Sequence, residues 1–167
     1  NRTLRDISFS AGLYRLTGPY VNIVDWDAPA SPPATSPTTD FLFTRDAQGF
    51  EDTEVYWGLD QSQRWIQSLG FLNIQNLSIV ADPHGFNGAD NSAYYPGTNR
   101  LTYGEGGVDD AEDLDVVLHE YGHAIQSGSV PGWGAGGDTR SMGEGFGDYW
   151  AGSYSASRDL YRWEWVF

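Results

Sequence analysis

The sequence predicts an α+β fold in which an antiparallel sheet packs on helices. Three observations predict it. Short apolar runs broken by Gly, Pro and Asp turns crowd the first half. A longer stretch, Glu51 to Leu69, has helical period. Two later segments, around His119 and around Glu144, repeat titratable side chains at intervals of four. At 167 residues the chain suits one domain and can bury a core.

The elements follow in order. Leu13 to Leu16 and Tyr20 to Trp26 read as strands joined by the turn Thr17-Gly18-Pro19. Asp27 to Pro37 holds four prolines and reads as an extended linker outside any sheet. Phe41 to Thr44 reads as a short strand. Val55, Leu59, Ile66 and Leu69 form one stripe of a helix over 51–69, and Gly70 ends it. Tyr56, Trp57 and Trp65 are expected to pack rather than stack on a ligand. Gln75 to Ala81 reads as a strand, and Asp82-Pro83-His84-Gly85 as a turn carrying an exposed histidine. No repeat is evident.

The next helix carries His119-Glu120-Tyr121-Gly122-His123. Val116, Val117 and Leu118 lead in, and Ala124 and Ile125 follow, so one side is apolar. Asp109, Asp110, Glu112 and Asp113 stand at its expected N-terminus, where an aspartate caps and acids oppose the helix dipole. Ser127-Gly128 is the expected stop. Histidines four apart project from one helix face and can grip one ion, and Glu120 can take a proton from metal-bound water. The competing reading is a surface helix with solvated side chains. The apolar flanks oppose it, because two unpaired buried imidazoles are costly. Two of only three histidines lie in this motif.

A third ligand is required. The offset at which a third histidine would follow in one common variant holds Ser129, and His84 sits in a turn. That leaves a carboxylate. In Ser141 to Ala151, Glu144 and Asp148 are four apart on a second helix. Glu144 can ligate, and Asp148 can accept from the outer nitrogen of a ligating histidine. A solvated acidic face is the alternative. Phe146, Tyr149 and Trp150 around the carboxylates favour packing.

His-Glu-Tyr-Gly-His together with Met-Gly-Glu-Gly-Phe-Gly-Asp resembles the gluzincin zinc metallopeptidases, thermolysin-like in general and fungalysin-like in detail. The resemblance covers about residues 90 to 151. It implies a zincin-type, strongly bent antiparallel sheet on the HExxH helix. It implies His119, His123 and Glu144 as zinc ligands, Glu120 as general base and Asp148 as the partner of His119. It also implies that Ser92, Ala93 and Tyr94 lie on an edge strand that pairs with substrate, followed by Leu101 to Gly104. Residues 1–50 then form a β-rich segment with a Pro-rich linker, and 51–167 the zincin catalytic portion without the helical C-terminal half.

Some positions depart from the family pattern. No tyrosine lies between the two motifs, where Val130-Pro131-Gly132-Trp133-Gly134 stands, and Gly143 stands where thermolysin-like members have an asparagine, though fungalysin-like ones accept glycine. The family's oxyanion histidine has no counterpart here. Tyr154 and Tyr161 are candidates through their phenols. The aromatic ending Trp163-Glu164-Trp165-Val166-Phe167 leads us to expect a piece of a longer protein.

Composition bounds the function. The net charge is −14, all nine basic residues are arginine, and there is no cysteine. A basic face for nucleic acid, a disulfide framework and thiolate zinc sites are excluded. A high-salt or calcium-rich exterior is one expectation for the acidity, ordinary acidic drift another. No apolar run is long enough to span a membrane, so no membrane partner is expected. Asn1-Arg2-Thr3 and Asn76-Leu77-Ser78 fit the glycosylation pattern. The acidic turn Gly104 to Asp110, and Asp138, are candidates for calcium beside zinc. A solvated loop is the competing reading.

The expected function is a secreted zinc endopeptidase. Its expected partners are a peptide or protein substrate and its own C-terminal fragment or a propeptide. A non-catalytic zinc-containing module, or an inactive fragment that needs its C-terminal half, is the first alternative. A gluzincin aminopeptidase is the second.

Overall fold

The computed structural model describes residues 2–133 and 136–158. The chain runs β1 (Ser8–Ser10), β2 (Leu13–Arg15), β3 (Val21–Ile23), β4 (Thr35–Ser36), α1 (Gly49–Ser68), β5 (Ile79–Gly85), β6 (Ser92–Tyr95), β7 (Arg100–Gly104), α2 (Leu114–Ser129) and α3 (Gly137–Ser157). The α+β class is as expected. A small antiparallel sheet has the order β1-β2-β4, and the main sheet has the order β3-β5-β7-β6.

The pairing of the main sheet differs from the antiparallel expectation. β3, β5 and β7 run parallel, and only β6 is antiparallel, on β7. The cause is α1. It lies between β3 and β5 and returns the chain to the same end of the sheet, as a crossover must for parallel neighbours. β5 is accordingly central and buried over nearly its whole length. The segments read as one hairpin, Leu13–Leu16 and Tyr20–Trp26, fall in different sheets, joined by a Thr17–Asn22 bridge and by the Ile23 N–H donating to the Leu16 carbonyl at 3.0 Å.

Two local expectations are corrected. Phe41 to Thr44 forms no strand. Instead, Phe43 packs over Gly49 at the start of α1. Asp82 to Gly85 is no turn but the end of β5, and His84 is 1% exposed. Proline in the strand misled the reading. Pro83 cannot donate to the ladder, and the register with β7 shifts between Asp82 and Gly85 to accommodate it. Asp82 then replaces lost backbone partners. Its carboxylate accepts from the N–H of Trp26, Asp27 and His84 at 2.8, 2.8 and 3.1 Å.

The helices follow most of their sequence signals, although α2 runs through the expected stop at Ser127-Gly128 to Ser129. α1 ends at Gly70, whose φ is +99°, a region that glycine enters at no steric cost. Val55, Leu59 and Ile66 are buried as the stripe predicts, whereas Leu69 is exposed. Asp113 caps α2, accepting from the Asp115 N–H at 2.8 Å. Buried polar pairs fix α1 against the later helices. The Tyr121 hydroxyl donates to Gln63 Oε1 at 2.7 Å, and Trp150 Nε1 donates to Ser62 Oγ at 2.8 Å. A fully satisfied buried pair contributes about 1 kcal/mol, but its loss costs more. Trp65 and Trp150 close the core at 4.7 Å between rings.

α2 and α3 pack closest where neither has a side chain. A Cβ built on Gly122 would lie 2.8 Å from the Gly147 Cα. A Cβ on Gly147 would lie 2.8 Å from His119 Nδ1 and 2.9 Å from two further ring atoms. This glycine contact sets the distance between the histidine helix and the carboxylate helix.

Candidate metal centre

Because α2 and α3 approach so closely, the two four-residue spacings face each other. His119 and His123 lie one turn apart on α2 with ring centroids 4.9 Å apart. Glu144 Oε2 reaches both, at 3.2 Å from His119 Nε2 and 3.7 Å from His123 Nε2. Asp148 Oδ1 is 2.8 Å from His119 Nδ1, the other nitrogen of that ring. With Nδ1–H given to Asp148, Nε2 of His119 is left with its lone pair facing Glu144 and His123. Ligand atoms of His119, Glu120 and His123 also lie within 4.8 Å of one another.

The surroundings of these groups differ. Glu144 and Asp148 have side chains 59% and 58% exposed, so α3 packs through Gly143, Gly147, Trp150 and Ala151 rather than around its carboxylates. Glu120 is 9% exposed. Burial pushes its carboxyl up to about 7, a rise moderated by His119 and reinforced by Glu144. Burial, and then the neighbouring His119, hold His123 below the ordinary histidine range, so it stays neutral, the form that binds metal.

β6 borders the site. It is the edge strand of the main sheet, as expected, pairing Ser92 with Tyr103 and Tyr95 with Arg100. Ser92, Ala93 and Tyr94 line a cleft of about 610 Å³ together with Glu120, His123 and Glu144. The Ser92 hydroxyl is already committed, donating to Asp110 Oδ2 at 2.6 Å. What Ser92 and its neighbours offer the cleft is an edge of backbone.

Some residues answer differently from their expectation. Tyr154 is 1% exposed and packs edge-on against Trp65 at 5.5 Å, so its phenol is part of the core and does not face the cleft. Tyr161 and the aromatic ending lie outside the described residues, as does Gly134. Sequence reasoning passed over Gln126 and Arg140, and gave Trp133 no role. All three line the cleft. Among the described residues, Gln126 Oε1 and Trp133 Nε1 are buried with no hydrogen-bond partner assigned. Gln126 had a signal, standing three residues after His123 on the same helix face. Trp133 follows α2 and Arg140 lies in the first turn of α3, and neither position carried a local signal.

No protein-family model matches this sequence. No curated protein matches it. Among solved structures, the precursor of protealysin, a metalloproteinase from Serratia proteamaculans, superposes with a TM-score of 0.63 at 16% identity. The match covers 95% of this chain and 48% of that one, so the chain spans about half the length of its structural neighbour. At that identity the likeness is one of fold alone.

Proposed function

We propose that this chain is the zinc-binding, catalytic portion of an endopeptidase, with residues 51–167 carrying the chemistry. One observation carries the reading. Two imidazole Nε2 atoms face a single Glu144 oxygen, while Asp148 holds the far side of His119. The donors fit zinc. Bonds near 2.1 Å in a tetrahedron separate ligand atoms by about 3.4 Å, and the observed separations of 3.2 and 3.7 Å lie to either side of this. His119, His123 and Glu144 would hold the ion, and zinc there supplies a Lewis acid that polarises a carbonyl and acidifies water.

The chain's own residues do the rest. Glu120, poised near neutrality, takes a proton from the attacking water and passes it to the leaving amine. An extended peptide adds to the edge at Ser92-Ala93-Tyr94, using main-chain hydrogen bonds. Gln126 and Trp133 line the same cleft. The matched precursor is about twice as long as the aligned span, which supports a propeptide or a C-terminal half as partner. Among the described residues no helix is long and apolar enough to cross a membrane. We place the protein outside the cell, on the lysine-free acidic composition and the metalloproteinase likeness.

Hydrolysis of internally quenched peptides tests this reading. Cleavage should stop with a zinc chelator and return with added zinc. Zinc bound without cleavage would select the non-catalytic module, or a portion that needs its other half. A further expectation isolates Asp148. Asp148→Ala should lower zinc affinity about 10–100-fold, measured against a competing chelator, because His119 loses the group that orients its ring. Unchanged affinity would remove Asp148 from the site.

A further inference from the structure

The cleft beside the histidines is lined by β6, by α2 and by the first half of α3. Its charges are unevenly placed. Glu120 and Glu144 are acids, and Arg140 is the one arginine among the lining residues described. The chain as a whole carries −14, so a cation here stands against the field of the rest of the protein.

α3 leaves this cation open. Side chains three and four residues apart are neighbours on a helix. For Arg140 those positions are Gly136, Gly137, Gly143 and Glu144, and the three glycines offer it nothing. Glu144 is turned to the histidines, 3.2 Å from His119 Nε2. Asp138, two residues away, does not share the face of Arg140. The other arginines show the contrast. Arg2, Arg45 and Arg64 each meet a carboxylate, and Arg100 and Arg158 lie over aromatic rings. Among the described residues Arg140 enters no ion pair, and it is exposed.

Its place along the helix fixes what it can read. Arg140 precedes Glu144 by one turn, about 6 Å of helix rise. An extended peptide advances about 3.3 Å per residue. A substrate on the β6 edge, with its reacting carbonyl beside Glu120 and Glu144, therefore brings a side chain about two residues away level with the guanidinium.

We propose that Arg140 makes the cleft select a substrate with an acidic side chain about two residues from the bond that is cut, an inference that rests on the endopeptidase reading. The guanidinium would donate two parallel N–H bonds to the carboxylate, a planar match that other side chains do not offer. A basic side chain at the same position would be repelled. The free C-terminus of a peptide carries the same chemical group, but an acidic side chain is the source available to an enzyme that cuts within a chain.

Two readouts test this. Peptides blocked at both ends, identical but for one central Glu, Gln or Lys, are given to zinc-loaded wild type, Arg140→Gln and Arg140→Glu, and mass spectrometry locates each cut. The wild type should favour the Glu peptide over the Gln peptide about tenfold in kcat/KM, the low end for a charge-assisted bond because the site is exposed. Arg140→Gln should bring the two rates together. Arg140→Glu should make the Lys peptide the better substrate. The second readout is fluorescence anisotropy of the same peptides on Glu120→Gln, with and without the change at Arg140. Binding that discriminates Glu from Gln through Arg140, while the wild type cleaves nothing, would sink the endopeptidase reading and support this one. Cleavage with no preference for Glu, or with a preference that survives Arg140→Gln, would overturn the role of Arg140 and spare the endopeptidase. A preference confined to peptides with a free C-terminal carboxylate would overturn the acidic side chain as the group selected. Failure of every peptide to bind or be cut would overturn both.

Discussion

Glu120→Gln is expected to keep zinc and lose turnover, lowering kcat/KM about 10²–10⁴-fold. The substitution preserves shape, so the buried pocket against β6 stays filled and no cavity forms. It also removes a charge that burial disfavours, so stability should hold or rise. What disappears is the only function an amide cannot perform, holding a proton near neutral pH. The same variant separates two assignments that the geometry brings close. Glu120 shares the 4.8 Å neighbourhood of both histidines, whereas Glu144 touches both Nε2 atoms. If Glu120 were the third ligand, Glu120→Gln would lose zinc in step with activity and Glu144→Gln would retain it. Zinc affinity measured beside peptide kinetics decides. Unchanged turnover would remove Glu120 from the chemistry.

Legibility divided along the line between local and long-range causes. The i, i+4 spacings of His119/His123 and Glu144/Asp148 predicted that each pair shares a helix face, and each does. An aspartate cap and the Gly70 stop are also local, and the sequence spelled them out. His84 failed because proline and glycine beside it imitate a turn. Only the central place of β5, set by the α1 crossover, buries it. Parallel pairing failed for the same reason, since no local pattern marks which end of a sheet a crossover returns to. Tyr154 looked like a phenol available for chemistry, yet the turn of α3 that carries it faces Trp65. The carboxylates of α3 were expected to be packed, but they are over half exposed and reach the histidines across the helix contact.

That contact gives the second large effect. Gly122→Ala should destabilise the protein by about 1–3 kcal/mol, the usual range for forced overpacking. It should also weaken zinc binding. On a free helix face the same change stabilises by roughly 0.5–1 kcal/mol, because alanine is the better helix former. The sign is therefore set by the neighbour. The new methyl would stand 2.8 Å from the Gly147 Cα, and backbone cannot swing aside as a flexible side chain can. α3 must move away, carrying Glu144 and Asp148 from the two histidines. Gly147→Ala should act on the same geometry from the other side, pressing its methyl into the His119 ring and off the Asp148 hydrogen bond. Gly145 supplies the control. It is exposed on the same helix, and a Cβ there meets nothing within 4 Å, so Gly145→Ala should stabilise. Thermal melts of the three variants, each with and without zinc, read both effects. If Gly122→Ala were as stable as Gly145→Ala, the close approach of α2 and α3 would not be what holds the two halves of the site together.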